Sequence, residues 1–105
     1  MNIIQKTAGI KVEGDVLYVS GDLDFNNVMS VYRDSINAIR RSSLIVTIDF
    51  SCLHSANSAA LAIIINWMKL AEKSGTSICF RNMPVDIISL AKSSGLDKLI
   101  QPLIV

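Results

Sequence analysis

The sequence contains little of the chemistry that metal proteins need. It has one histidine, His54, and two cysteines, Cys52 and Cys79, which are not part of a CxxC pair. A structural zinc site takes four Cys or His ligands at short spacing, so we expect no metal site. Both cysteines lie among apolar residues, and we therefore expect them to be small buried side chains in a reducing compartment.

The sequence also lacks the glycine-rich motifs that bind nucleotide phosphates. Neither GxGxxG nor GxxxxGK[ST] occurs. The single imidazole, His54, is next to Ser55 and close to Ser58, which is too near in sequence for the usual arrangement of a Ser-His-Asp triad. We therefore expect His54 to be an ordinary loop residue, and we expect neither catalytic residues nor a cofactor.

Long charged runs and long apolar runs are absent as well. The net charge is +1, and the one pair of adjacent basic residues is Arg40-Arg41, so no nucleic-acid surface is predicted. The longest apolar run, Ala59 to Ile65, is far shorter than the ~20 residues that cross a bilayer. The segment MNIIQKTAGI lacks the apolar core of a signal peptide. We expect a cytoplasmic protein with a single domain over residues 1–105.

What the sequence does contain is an alternation of strand-like and helix-like segments. Two strands in IKVEGDVLYVSG form a predicted hairpin at Gly14-Asp15. The later elements are a helix in DFNNVMSVYRDSINAIRR with Asp24 or Asn26 as its cap, a strand in SLIVTIDF, a helix from Ser58 to Ser74, a strand in TSICF, a helix in NMPVDIISLAKSSG and a short helix in LDKLI. Because strands alternate with helices after the hairpin, we predict an α/β fold with a mixed β-sheet.

The predicted helix from Ser58 to Ser74 has more apolar surface than a helix on one sheet face needs. A helical wheel gives it a core side, a mostly polar stripe, and a third arc that contains Ala59, Ile63, Trp67 and Leu70. Either a neighbouring helix covers this arc, or the arc is a protein-binding patch with Trp67 as its anchor. The candidate partner-binding residues are Ser58, Ala59, Ala62, Ile63, Asn66 and Trp67.

Two polar residues near this helix each have two interpretations. Ser58 is either a helix cap or a phosphorylation switch, since a phosphate at a helix N-terminus is well tolerated and adds charge beside a docked partner. Asp49 lies near the end of the central strand, where α/β proteins often place functional groups. We expect Asp49 to brace the strand end or a loop.

Three segments resemble the STAS-domain family. VTIDFSCLHSANSAALAIIINWMKLAEKSG resembles the family's signature region, in which a strand and turn lead to an Asp-Ser-Ser-Gly-Leu-like motif that opens a helix. VSGDLDFNNV resembles the segment before the family's first helix, and FRNMPVDIISLAKSSGLDKLI resembles its closing strand, Pro-led helix and Gly-Leu end. The resemblance covers about residues 10 to 101 and implies that the motif positions are Asn57, Ser58, Ala60 and Leu61.

The resemblance implies a non-catalytic interaction module. STAS domains occur as anti-sigma factor antagonists, as sulfate-transporter tails and as a small cytoplasmic subunit of a phospholipid-transport ABC complex. The size and closing segment of this chain look most like the last group, which implies an ABC-transporter ATPase as the partner and a location at the inner membrane through that ATPase. The alternative is an antagonist that binds an anti-sigma factor kinase and is regulated at Ser58. Asn57, where the family has an aspartate, favours the ATPase adapter.

Overall fold

The computed structural model describes residues 8–42 and 44–105. Residues 1–7, which belong to the segment MNIIQKTAGI, lie outside the described residues. So does Ser43, at the start of the predicted strand SLIVTIDF. The elements in chain order are β1 (Gly9–Glu13), β2 (Val16–Leu23), α1 (Val28–Arg41), β3 (Ile45–Ala56), α2 (Ala59–Ser74), β4 (Ser77–Arg81), α3 (Val85–Ser93), α4 (Asp97–Ile100) and a 3-10 turn (Gln101–Leu103). This order confirms the predicted alternation of strands and helices.

The four strands form one mixed sheet in the order β1-β2-β3-β4. β1 pairs antiparallel with β2, and Gly14 in the connecting turn has a φ of 61°, a left-handed conformation that glycine adopts without steric cost. β2, β3 and β4 pair in parallel. Each crossover moves to the next strand in the same direction, so right-handed connections place α1 and α2 on the same face of the sheet. The predicted α/β fold with an N-terminal hairpin is therefore confirmed.

The core lies between the sheet and this helical layer. Alternate strand residues point into it, among them Leu17, Val19, Val46, Ile48, Phe50 and Phe80. The ring of Phe50 lies 6.3 Å from the ring of Trp67 and 6.1 Å from that of Phe80, measured between centroids. The aromatic side chains of β3, α2 and β4 thus meet in the middle of the domain.

The helix α2 ends where the sequence predicts, at Gly75. Gly75 has a φ of 70°, and the N–H of Thr76 donates to the carbonyl of Ala71. This is the pattern in which a left-handed residue closes a helix, and it favours glycine because a β-carbon is strained there. The turn directs the chain back into β4.

The expected burial of Cys52 is wrong. The strand β3 runs on past Phe50 to Ala56, and Cys52 lies opposite Ser20 of β2 on the face of the sheet that α1 and α2 do not cover. Cys52 is therefore exposed, while Cys79 is half-buried with its Sγ 3.3 Å from the Thr47 hydroxyl. The reason is an irregularity in the pairing: Tyr18 lies opposite Asp49 and Ser20 opposite Cys52, so two steps along β2 match three steps along β3. This shift breaks the alternation, and Cys52 does not follow Phe50 into the core.

Candidate interaction site at the ends of the parallel strands

The candidate site lies where β2 and β3 end side by side. These strands stay paired to their last residues, with Asp22 opposite Ser55 and Leu23 opposite Ala56. The chain leaves both strands at the same level and enters α1 and α2, so the two connecting turns lie next to each other. We call this edge the strand-end surface: residues 22–29, residues 54–58, and the exposed Ala62 and Asn66 of α2.

Two polar side chains of β3 converge on one carboxylate of β2. Asp22 Oδ1 lies 2.6 Å from His54 Nδ1 and accepts a hydrogen bond from Ser55 Oγ at 2.7 Å. The expectation that His54 is a loop residue is wrong, because His54 belongs to the paired end of β3. The geometry is also not that of a catalytic triad, since the Ser55 hydroxyl donates to the carboxylate rather than to the imidazole.

The turn between β2 and α1 is fixed by its own side chains. Asp24 Oδ1 accepts from the N–H groups of Asn26 and Asn27 at 2.8 and 3.1 Å. Asn27 Oδ1 accepts from the Asp24 N–H at 3.0 Å, and Asn27 Nδ2 donates to the Asp22 carbonyl at 2.7 Å. Asp24 thus accepts from the N–H groups two and three residues ahead, and Asn27 bonds back to the Asp24 N–H, which is the reciprocal pattern of a capping box. Asp24 therefore caps the turn that leads into α1, as the sequence predicts.

At the turn between β3 and α2, Asn57 and not Ser58 caps the helix. Asn57 Oδ1 accepts from the Ala59 N–H at 2.9 Å, and its carbonyl accepts from the Ala60 N–H at 3.0 Å. Ser58 already has helical angles, with φ −63° and ψ −14°, and makes no side-chain cap bond. Ser58 therefore has the position at the start of α2 that the sequence predicts, but its exposed hydroxyl does not make the cap bond.

The predicted partner-binding residues fall into an exposed set and a buried set. Ser58, Ala62 and Asn66 are exposed and follow one another at intervals of four along α2, so they form a line on its surface. Asn66 Nδ2 donates to the Ala62 carbonyl at 2.9 Å. Binding of a partner by these residues stays a prediction.

The prediction that Ala59, Ile63 and Trp67 form an exposed patch is wrong. Trp67 is 0% exposed, and its indole N–H donates to the hydroxyl of Ser35 on α1 at 2.8 Å. Ala59 and Ile63 are buried as well, because α1 packs along this side of α2. The alternative, in which a neighbouring helix covers the third arc, is confirmed. The motif positions Ala60 and Leu61 are also buried, which leaves Asn57 and Ser58 as the exposed part of the motif.

Asp49 braces the neighbouring strand, as the sequence predicts. Its carboxylate is buried, with Oδ2 2.6 Å from Arg81 Nε and Oδ1 2.7 Å from the Ser51 N–H, while Asn82 Nδ2 donates to Oδ2 at 3.2 Å. Burial alone would raise the pKa of Asp49, but the hydrogen bonds from Ser51, Arg81 and Asn82 outweigh it and lower the pKa to about 2. Asp49, in the middle of β3, therefore braces the end of β4 as a carboxylate that is ionised at neutral pH.

Neither a metal-binding cluster nor a membrane-spanning helix occurs among the described residues. Among residues 8–42 and 44–105, no group of three or more His, Cys, Asp or Glu side chains could hold a metal ion. No helix in the described part of the chain is both long and apolar enough to span a bilayer. The exposed residues of the strand-end surface include the small or polar Ser58, Ala62 and Asn66, the imidazole of His54, and the apolar Phe25 and Met29.

The sequence reasoning missed two apolar side chains on this surface, Phe25 and Met29. In the sequence, Phe25 precedes Val28 by three residues and Met29 follows Val28, which predicts that both belong to the apolar side of the first helix. In the structure, Phe25 precedes α1, and Met29 points away from the buried Val28 and Val31. The turn residues Asp24, Asn26 and Asn27 around Phe25 were the available signal that Phe25 lies in a turn.

Comparisons with known proteins agree on the fold and on the family. Residues 7–103 match the family model described as "Mlab, STAS domain", whereas no curated protein matches the chain. A chain of the Acinetobacter MlaFEDB complex in its ATP-bound Vtrans2 conformation is similar, with 26% identity over 79% of this chain and 87% of that chain and a TM-score of 0.65.

Two anti-sigma factor antagonists have a similar fold. The antagonist SpoIIAA in its unphosphorylated form is 16% identical over 94% of this chain and 86% of that chain, with a TM-score of 0.68. An antagonist from Mycobacterium paratuberculosis is 22% identical over 90% of this chain and 81% of that chain, also with a TM-score of 0.68.

Proposed function

This chain belongs to the STAS-domain family described as Mlab, and we propose that it is a non-catalytic adapter of the MlaB type. Its partner in this proposal is the MlaF-like ATPase subunit of an ABC-type phospholipid transporter that maintains outer-membrane lipid asymmetry. The adapter supports that ATPase. It is held at the cytoplasmic side of the inner membrane by binding to the ATPase, and the proposal involves neither nucleic acid nor a cofactor.

The observation that carries this proposal is the strand-end surface. The backbone there is held by side-chain hydrogen bonds in both turns, while small exposed side chains at Ser58, Ala62 and Asn66 leave room for close packing of a partner helix or loop. A partner that docks on a pre-organised surface loses less conformational entropy than one that must order it. This arrangement supports recognition of another protein.

Two further observations support the choice of an ATPase adapter. Asn57 caps α2 through its amide oxygen, so the cap is kept although the family's aspartate is replaced by an uncharged side chain. The likeness to a chain of the MlaFEDB complex extends over most of both chains at 26% identity. Neither observation requires Ser58 to be phosphorylated.

Capture of the ATPase subunit tests the proposal. The tagged chain is co-expressed with the MlaF-like ATPase and permease from the same genome, purified, and assayed for bound ATPase and for ATP hydrolysis with and without the chain. We expect stoichiometric capture and a change in hydrolysis. Ser58→Glu should reduce capture more than Ser58→Ala, because a charge that loses water at an interface without a partner is costly.

A matched control is Ser89→Glu, which adds the same charge at an exposed serine of α3. This variant should bind like the wild type. If wild-type chain captures no ATPase under conditions where ATPase and permease are folded and associated, the adapter proposal is wrong. Equal capture by all the Ser58 variants would place Ser58 outside the contact.

The second candidate is an anti-sigma factor antagonist that is regulated by phosphorylation of Ser58. One observation favours it: Ser58 is exposed, and its hydroxyl makes no cap bond, so a kinase can reach it without unwinding α2. Incubation with an anti-sigma factor kinase and ATP, followed by mass spectrometry, tests this candidate. Phosphate on Ser58 together with loss of kinase binding would support the antagonist function. A chain that stays unmodified would exclude this second candidate.

A further inference from the structure

Phe25 is exposed to an extent that folding does not explain. Its side chain is 65% exposed, whereas Phe50 and Phe80 are buried in the core. Met29, four residues further on, is 60% exposed. Exposed single apolar residues are common on proteins, so exposure by itself indicates no function. What distinguishes Phe25 is the turn that presents it.

Phe25 lies at the tip of the turn between β2 and α1. Asp24 on one side and Asn26 and Asn27 on the other are joined by hydrogen bonds of 2.8 to 3.1 Å, and Asn27 is tied to the Asp22 carbonyl at 2.7 Å. These bonds hold the backbone on both sides of Phe25 in place. Because the backbone is fixed, a partner that buries Phe25 has to order only the two side-chain torsions of the ring, which suits Phe25 to anchor an interface.

Phe25 and Met29 lie beside the line formed by Ser58, Ala62 and Asn66. The last residues of β2 and β3 are paired, so the turns that follow them, with Phe25 and Ser58, start from adjacent positions. α1 and α2 pack against each other and run in the same direction, because each leads from the end of one parallel strand to the start of the next. Their first turns are therefore neighbours at one edge of the sheet.

The charges around Phe25 indicate the chemistry of what it contacts. Segments 22–30 and 54–62 contain the two carboxylates of Asp22 and Asp24 and no Lys or Arg, although the whole chain has more basic than acidic residues. Asp22 already interacts with His54 and Ser55, and Asp24 with its own turn. The hydrogen bonds to Asp24 come from uncharged backbone N–H groups, so its negative charge remains beside Phe25 and favours a cationic neighbour.

We propose that Phe25, with Met29 beside it, is the apolar anchor of the strand-end surface, and that its partner is a protein with an apolar pocket flanked by Arg or Lys side chains. The pocket receives the Phe25 ring, and the cationic groups face Asp24. This inference rests on the proposed function, since it names the residues and chemistry by which the ATPase subunit is held. Apolar burial in the pocket supplies the affinity, and the charges set orientation and association rate.

Binding measurements on three variants and one control test the inference. The ATPase–permease complex is the probe, and its affinity is measured for wild type, Phe25→Ala, Met29→Ala and Asp24→Asn. The control is Val85→Ala, because Val85 is an apolar residue of α3 that is 75% exposed. Melting temperature is recorded for every variant.

We expect Phe25→Ala to weaken binding at least tenfold and Met29→Ala to weaken it less, with unchanged melting temperatures. Asp24→Asn keeps the acceptor oxygen of the turn but removes the charge. It should slow association and make binding less sensitive to salt. Val85→Ala should bind like the wild type.

The outcomes separate this inference from the function on which it rests. Failure of the wild-type chain to bind the ATPase would overturn both. Tight binding by the wild type and by Phe25→Ala alike would overturn the inference alone. Light scattering tests whether a second copy of this chain occupies the surface instead. A dimer that Phe25→Ala dissociates, while ATPase binding stays intact, would also overturn the inference.

Discussion

At the scale of single residues, Trp67 determines how the two large helices fit together. Its ring packs against Phe50 in the core, and its N–H reaches Ser35 on α1, whose hydroxyl in turn donates to the Tyr32 carbonyl at 2.6 Å. A buried indole needs such a partner, since an unpaired N–H in the interior costs about 1–3 kcal/mol. Ser35 therefore serves as a polar residue at an otherwise apolar helix contact.

Substitutions at this contact should lower stability. We expect Trp67→Ala to reduce the free energy of unfolding by ~3–5 kcal/mol through the cavity it leaves. Ser35→Ala should cost about 1–3 kcal/mol because the indole N–H loses its acceptor. Urea denaturation measures both, with the exposed Lys69→Ala on α2 as the control. A Trp67→Ala protein as stable as the wild type would mean that this side chain does not lie in the core.

The two residues at the start of α2 should respond differently to alanine. Asn57→Ala removes the side-chain cap and should cost about 1 kcal/mol. Ser58→Ala removes an exposed hydroxyl without a cap bond, so its effect on unfolding should stay within about 0.5 kcal/mol. Thermal and urea unfolding of the two variants test this difference. A larger loss for Ser58→Ala than for Asn57→Ala would assign the cap to Ser58 instead.

At the scale of elements, the sequence predicts the helices better than it predicts what covers them. The order of elements and the end of α2 at Gly75 follow from local signals, namely apolar periodicity and a left-handed glycine. The wheel of α2 also separates its polar stripe from its apolar sides. It cannot tell whether the arc with Trp67 meets a helix or solvent, because that depends on how closely α1 lies beside α2.

The sequence also does not indicate how far β3 extends, because this depends on a contact that is distant in sequence. Apart from Leu53, the residues from Ser51 to Ala56 are small or polar, and they lack the period-2 apolar alternation that usually indicates a strand. Pairing with β2 nevertheless continues to Ala56, with irregular register between Gly21 and Asp22. The bond from Ser55 to Asp22 holds this extension through side chains 33 positions apart in sequence, a contact that no local pattern reveals.

The link between β3 and β4 should make stability depend on acid pH. The folded pKa of Asp49 is about 2, below the ordinary value of 3.8, so its stabilising effect is complete above about pH 5 and is lost as the pH falls towards 2. The corresponding loss of unfolding free energy is on the order of 2 kcal/mol. Urea denaturation between pH 6 and pH 2 measures it.

A matched variant isolates the contribution of Asp49 from that of the other carboxylates. Asp49→Asn cannot ionise, so its stability should start lower at pH 6 and fall less steeply between pH 5 and pH 2 than that of the wild type. Parallel curves for the two proteins would mean that Asp49 has the same pKa in the folded and unfolded chain, contrary to its contacts with Arg81 and Ser51.

At the scale of the whole molecule, the charges differ between the two ends of the helical layer. Arg40, Arg41 and Lys73 lie in the last turns of α1 and α2, where they complement the negative ends of the helix dipoles. The other end has Asp22 and Asp24 beside the first turns. The end with Arg40, Arg41 and Lys73 also holds Asp15, whose carboxylate accepts a hydrogen bond from Ser42, and Glu72 in the last turn of α2. That end therefore has charges of both signs, whereas a cationic partner surface meets a carboxylate next to Phe25 at the other end.

One other apolar surface competes with the strand-end surface for a partner. A cavity of about 480 Å³ lies between α3, α4 and the 3-10 turn, with Ile87, Ala91 and Ile100 among its lining residues. It is on the far side of α2 from α1, next to β4. A partner held at the strand-end surface by Phe25 and Ser58 contacts the first turns of α1 and α2 and leaves this cavity open.

Hydrogen exchange distinguishes these two surfaces. On binding of the ATPase–permease complex, we expect slower amide exchange in residues 22–31 and 54–66, because docking excludes water and suppresses local opening of the two turns and the first helical turns. Exchange in residues 83–93 should not change. In a complex with the Phe25→Ala variant, protection should weaken more in residues 22–31 than in residues 54–66, because the anchor is lost while Ser58 still contacts the partner. Protection centred on 83–93 instead would move the interface to the cavity beside α3, and the strand-end surface would then be a rigid turn without a partner.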